Sequence, residues 1–173
     1  MQNQADTSIT IRLAIADDLQ QIVAMDQDLF GWYGANEDPE VIRARLDVSP
    51  RGCIVAEQSS ADGETTNFMG YVTTEKWENF REPELDENPY TTHKPNGRIL
   101  NITTLAVGRH YQNQSLGSRL LAHVIDVARR EGCHTIVLET ARAQRFYLKH
   151  GFETVIERQQ RGITLYVKRL LLN

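Results

Sequence analysis

Residues 98–139 constrain this chain more than any other stretch, because two apolar runs are joined there by one amphipathic helix. Residues 98–107 are strongly apolar, with Thr103 and Thr104 among them, and read as a central strand buried on both faces. From Leu116 the apolar positions Leu116, Leu120, Val124, Val127 and Ala128 recur at helical spacing as far as Glu131, where Gly132 stops the run. Residues 135–139 form the next strand. A strand, a helix and a strand in this order place 98–107 and 135–139 side by side as a parallel pair.

The remaining elements flank that unit. Residues 9–15 alternate and are β-branched, which predicts a first strand. Asp17 then caps a helix carrying Leu19, Ile22, Val23, Met25 and Leu29 up to Phe30. A turn-rich break over 31–38 leads to Pro39, where a helix starts, and on through 41–46. Residues 52–58 and 68–74 read as two strands joined by the polar, Asp-Gly-containing segment 59–67. The segment 75–97 has no periodicity and holds Pro83, Pro89 and Pro95, so it reads as a long functional or mobile loop. A short helix over 141–150 and a terminal hairpin of 152–158 with 163–170 complete the chain. The whole reads as one α/β domain over 1–173, a mixed sheet with helices on both faces.

Composition narrows the setting. Hydrophobic residues make up 40% and charged residues 24% of the 173, which is ordinary for a water-soluble chain with a real core. No apolar run reaches the ~20 residues of a membrane span, and the first twenty residues carry no signal-like stretch. Cys53 and Cys133 each sit in apolar surroundings and read as reduced core thiols. A cytoplasmic protein is expected, without a membrane partner. The net charge of −4 hides an asymmetry: residues 1–100 carry 18 acids against 8 bases, and residues 101–173 carry 5 against 11. The second half is thus suited to a polyanion and the first to something cationic. The bases are not clustered as a nucleic-acid footprint requires, so no nucleic-acid partner is expected.

The turn within 105–121, LAVGRHYQNQSLGSRLL, carries the chemistry. A buried strand ends at Val107 and a helix begins with the small residues Ser115, Gly117 and Ser118. The first turn of a helix exposes unpaired N–H groups and partial positive charge, and small side chains let an anion approach them. A Walker loop needs a Lys that is missing here, and a Rossmann fingerprint needs another glycine spacing near the first strand.

This segment resembles motif A of the GNAT N-acetyltransferase superfamily, Q/R-x-x-G-x-G/A after a strand. Gln112, Asn113, Gln114, Ser115, Leu116 and Gly117 fill it in order, with Ser115 where the first Gly is usual. Residues 138–152, LETARAQRFYLKHGF, resemble motif B through Ala143, Tyr147, Lys149, Gly151 and Phe152, with Thr140 in place of the common Asn. The resemblance implies a GNAT-like fold: a central, mostly antiparallel sheet with a splayed parallel pair, 98–107 and 135–139. It implies acetyl-CoA as co-substrate, paired along Leu105, Ala106 and Val107, with its pyrophosphate on 112–118. Thr140, Arg142 and Arg145 join the cofactor-binding set, the two arginines toward the 3′-phosphate.

The same resemblance implies transfer of acetyl to a primary amine by direct attack, through a tetrahedral intermediate. Backbone N–H near Val107 would stabilise the oxyanion, and Tyr147 would protonate the departing thiolate as general acid. The strand Glu that many relatives use as base is absent, Asn101, Thr103 and Thr104 standing there instead. Glu139 is the first candidate base, with Glu75, Glu78 and His93 behind it. Trp32, Tyr33 and Trp77 lie among acids and suit a protonated acceptor, a small molecule or a protein amine. No metal-binding spacing is present, and no metal is expected. A homodimer, transfer of a longer acyl chain, and a catalytically silent acyl-CoA-binding module remain open readings.

Overall fold

The computed structural model describes residues 8–173. The first seven residues of the expected 1–173 domain therefore lie outside it. Among the described residues seven strands form one sheet in the order β1-β2-β3-β4-β5-β7-β6. They are β1 (Ile9–Leu13), β2 (Ile54–Ser59), β3 (Thr66–Trp77), β4 (Ile99–Val107), β5 (Thr135–Thr140), β6 (Glu153–Gln160) and β7 (Ile163–Leu171). Only β4 and β5 run parallel; every other neighbouring pair is antiparallel. The parallel crossover read from 98–139 is present, carried by α4 (Leu116–Arg130).

Period-two alternation sorts the core onto two faces. Ile54, Ala56, Met69, Val72, Leu100 and Ile102 point to the face covered by α4 and by the short α5 (Gln144–Lys149). Val55, Tyr71 and Ala106 point the other way, against α1 (Leu19–Phe30) and α2 (Pro39–Val48). The stripe Leu116, Leu120, Leu121, Val124, Val127 and Ala128 is the buried side of α4. Gly132, at φ +77°, ends that helix in the left-handed conformation a side chain resists. Asp38 caps α2 by accepting from Glu40 N–H at 2.8 Å, with Pro39 in the first turn as expected. Both cysteines are buried and free.

Three expectations need correction. The first strand ends at Leu13, and the following turn is held by Asp18 rather than Asp17: its carboxylate accepts from Ile15 N–H at 2.8 Å and pairs with Arg12 at 2.8 Å. The third strand runs on to Trp77, three residues past the expected end. Glu75, Lys76 and Trp77 pair with Asn101, Leu100 and Ile99, so the supposed loop begins inside the sheet. Their charges had disguised a strand, and each finds a partner: Lys76 meets Glu131 at 3.1 Å, and Arg45 approaches Glu75 at 3.7 Å. Finally, α3 (Pro89–Thr92) forms within the same segment, capped by Asn88 through Tyr90 N–H at 3.0 Å.

Candidate active site

The site follows from a break in the sheet. β4 and β5 are paired from Ile99–Thr135 to Ile102–Leu138 and no further. At that point β4 carries a bulge: Thr74 opposes Ile102 and Thr73 opposes Thr104, so Thr103 has no opposite residue on β3. Its hydroxyl turns to the Thr73 carbonyl at 2.9 Å instead. A bulge bends its strand and increases local twist, which swings the end of β4 away from β5. Residues 99–102 are accordingly buried on both faces, and 103–105 only half-buried.

The opening exposes a strand edge inside the sheet. Gly108 N–H donates to Met69 C=O at 2.8 Å, one step past the Gly70–Val107 pair. That makes Gly70–Val107 a non-hydrogen-bonded pair, so the backbone groups of Val107, and two residues back those of Leu105, face away from β3 into the gap. The Val107 carbonyl is held by Gln112 Nε2 at 3.0 Å. A cleft of about 970 Å³ results, bounded by the end of β4, the start of α4, the β5–α5 turn and the α1–α2 connection.

The turn into α4 is backbone-lined and concave. Asn113 and Ser115 sit at φ +61° and +65°, and alternation into the left-handed region gathers successive N–H groups into a concavity. Ser115 precedes the helix, yet its side chain makes no capping bond, contrary to what a Ser in that place suggests. The reason is the backbone: at φ +65° it does the work usually given to Gly. Holding a non-Gly residue there costs about 1 kcal/mol. Ser115→Gly should therefore raise the stability of the free protein by about 0.5–1 kcal/mol in urea unfolding; a loss of stability would show that the Ser side chain holds the turn.

Asn113, Ser115, Leu116, Gly117 and Ser118 line the cleft with Gln112, as do Leu105, Ala106 and Val107. The Ser118 hydroxyl is already engaged with His150 Nε2 at 2.9 Å, leaving its backbone N–H as what it offers. Gln114 and Arg145 are not among the lining residues. Thr140 does line it, and its Oγ1 accepts from Ala143 N–H at 3.0 Å, fixing the β5–α5 turn. Arg142 stacks on Trp32 at 4.1 Å and on Tyr33 at 5.2 Å, bridging the cleft mouth between two connections far apart in sequence.

Tyr147 is buried at the vertex, edge-on to Phe146 and Phe152 at 5.0 and 5.4 Å. Its ring lines the cleft, and its hydroxyl has no hydrogen-bond partner among the described residues. Burial pushes the phenol pKa well above its usual value. Glu139 also lines the cleft but is paired with Arg158 at 2.7 Å; burial pushes its carboxyl up, and Arg158 opposes the shift. Trp32 and Tyr33 lie at the cleft mouth. Trp77 does not: it is core, with Ile99 and Val137, because β3 extends through it. Glu78 is exposed and off the cleft, and His93 accepts from Lys76 N–H at 3.1 Å in a separate depression.

Little in the sequence signals the buried polar network at the closed end of the cleft. Arg45, on α2, pairs with Glu37 at 2.7 Å and approaches Glu75 at 3.7 Å. Asp26 accepts from Glu37 N–H at 2.8 Å and from the Tyr71 hydroxyl at 3.1 Å. These residues come from four separate stretches of the chain, so no local pattern groups them. Among the described residues no group of His, Cys, Asp and Glu could hold a metal ion.

A bulged β4, a splayed parallel pair and a concave, N–H-lined turn at the start of α4 define an acyltransferase-like class of α/β protein. The model of the acetyltransferase (GNAT) family matches residues 19–152, and the chain belongs to that family. The loading GNATL domain of CurA from Lyngbya majuscula superposes with a TM-score of 0.76 at 16% identity, over 93% of this chain and 96% of that one. Arabidopsis thaliana Naa50, solved with the bisubstrate analogue CoA-Ac-MVNAL, gives 0.71 at 18% identity, over 95% and 99%. The GphF GNAT-like decarboxylase, in complex with isobutyryl-CoA, gives 0.73 at 20% identity, over 95% and 100%. No curated protein matches the sequence.

Proposed function

We propose that this chain transfers an acyl group, acetyl foremost, from acyl-coenzyme A to a primary amine. The observation that carries the reading is the gap between β4 and β5, which leads from the nest at 112–118 to Tyr147. When bound there, acyl-CoA supplies an activated thioester and a thiolate leaving group. Leu105 and Val107 offer backbone groups along which an extended amide-bearing chain pairs as an added strand, with Ala106 between them. The N–H groups of Gln112, Asn113, Gln114, Ser115, Leu116, Gly117 and Ser118 hold the pyrophosphate. Arg142 frames the mouth, and Arg145 lies on the exposed side of α5, open to a phosphate.

Val107 N–H, which faces the gap, stabilises the developing oxyanion in this reading. Tyr147, kept neutral by burial, gives its proton to the departing sulfur as the new C–N bond forms and the C–S bond breaks. Glu139 takes the proton that the amine sheds. Trp32 and Tyr33 guide the acceptor in. Both reduced thiols and the acyl donor suit the cytoplasm, and no helix among the described residues is long and apolar enough to cross a membrane.

Thiol release from acetyl-CoA across a panel of primary amines tests this. Release well above acceptor-free hydrolysis, with at least one amine, is the expected result. Tight CoA binding without release for any amine would instead make the chain a silent binding module.

A further inference from the structure

The charges lining the cleft are unevenly shared: Arg109, Arg142 and Lys149 belong to the α4 and α5 turns with Glu139 as the one acid beside them, whereas Glu37, Glu75, Glu84 and Glu87 line the cleft with Arg45 as the one base among them. At the closed, acidic end three carboxylates, Asp26, Glu37 and Glu75, surround a single buried guanidinium, Arg45, and none is more than 6% exposed. Arg81 reaches Glu75 only at 4.0 Å and is committed to Glu87; the other donors to Glu75, Trp77 Nε1 at 3.1 Å and the Thr92 hydroxyl at 3.0 Å, are neutral, and Arg45 Nε makes no hydrogen bond. Buried negative charge in excess of its partners is unfavourable unless a cation completes it.

An independent observation points to what that cation is. Asn101, 3% exposed and directly opposite Glu75 across the β3–β4 ladder, lines the cleft with its Oδ1 accepting no hydrogen bond. Glu37 Oε1 is taken by Arg45, and no hydrogen bond reaches its Oε2 among the described residues. Two uncommitted acceptors beside a carboxylate match the three donors of an ammonium group. Burial pushes the Asp26 and Glu37 carboxyls up, and an arriving cation would draw them back down.

The reacting amine must be neutral to attack, and it must stand near Leu105 and Val107. Asn101 lies four residues below Leu105, roughly 13 Å along an extended strand. The cation at the acidic end is therefore a different group from the one acylated. We propose that the acidic end binds a second ammonium of the acceptor, so that the substrate class is a slender aliphatic diamine or polyamine. This rests on the acyltransferase reading for the fate of the first amine, but the binding step stands apart from it.

The test compares kcat/KM for diaminodecane, whose extended chain spans that distance, and decylamine. A charged hydrogen-bonded contact predicts a preference of about 10- to 100-fold for the diamine. In Glu75→Gln and Asn101→Leu the ratio should collapse toward one. Asn101→Leu breaks no hydrogen bond seen in the structure, so it keeps the test open if Glu75→Gln fails to fold. Equal use of both amines by the unaltered protein overturns the proposal and leaves acyl transfer intact. If no amine is acylated, thermal shift of the unliganded protein decides: stabilisation by diaminodecane over decylamine upholds the site, and equal or no stabilisation overturns it.

Discussion

Tyr147→Phe is expected to lower kcat by about 10²- to 10³-fold while leaving acyl-CoA affinity nearly unchanged. The ring is packed against Phe146 and Phe152, and Phe preserves that packing, so only the hydroxyl is lost. Because the hydroxyl has no partner among the described residues, its removal strands no buried donor or acceptor and should not unfold the protein. Isothermal titration with CoA and steady-state kinetics separate the two effects. Full turnover in the variant would remove Tyr147 from the mechanism.

The sign of the phenol shift adds a second reading of the same experiment. Burial raises the Tyr147 pKa, and a raised pKa keeps the proton-bearing form in place at higher pH. The acceptor amine meanwhile becomes more reactive as it deprotonates. The kcat/KM profile should thus climb with no falling limb from Tyr147 up to pH of about 10, the ordinary value for a phenol. A descending limb near pH 8 would assign the acid elsewhere.

Arg45→Ala should destabilise the protein by about 3–5 kcal/mol, the largest effect expected of any single side chain here. Arg45 is 2% exposed and is the cation shared by Glu37 and Glu75. Removing it leaves carboxylates buried without a counter-charge and a void in α2. The sign with pH is fixed by the same groups. The Asp26 and Glu37 carboxyls are raised in the folded state, so the folded protein holds protons that the unfolded chain has lost. Stability from these groups falls as pH rises from the ordinary carboxylate range through the raised values. The variant should accordingly lose less at pH 5 than at pH 8 in urea unfolding. Equal losses at both would mean that packing, not charge, dominates.

What the sequence revealed follows from where periodicity survives. The α4 stripe and the apolar runs on either side are uninterrupted, so the parallel crossover is legible, and with it the position of the turn into α4. Strand β3 is legible only to Thr74, because Glu75 and Lys76 look solvated until Arg45 and Glu131 are brought to them by distant segments. Trp77 was misplaced for the same reason. Arg45 itself is invisible as a buried residue, since one Arg on a polar helix gives no hint of which face it takes. The bulge at Thr103 left no sequence mark either; β4 is as apolar and β-branched after the break as before it. Ser115 was legible as an irregularity in the motif, but its left-handed backbone, and hence its failure to cap, emerges only from coordinates.

The break after Ile102 leaves two bare strand edges in the interior of the sheet, where an ordinary sheet keeps them at its rim. Bare edges invite foreign strands and so invite aggregation. This pair is guarded by dimension. The gap opens from one strand spacing, about 4.8 Å, and a polypeptide strand would need twice that, with room for side chains on faces that α4 and Tyr147 already fill. A thin, unbranched chain meets no such barrier. The fold thus keeps a sticky edge permanently exposed while admitting almost nothing able to misuse it.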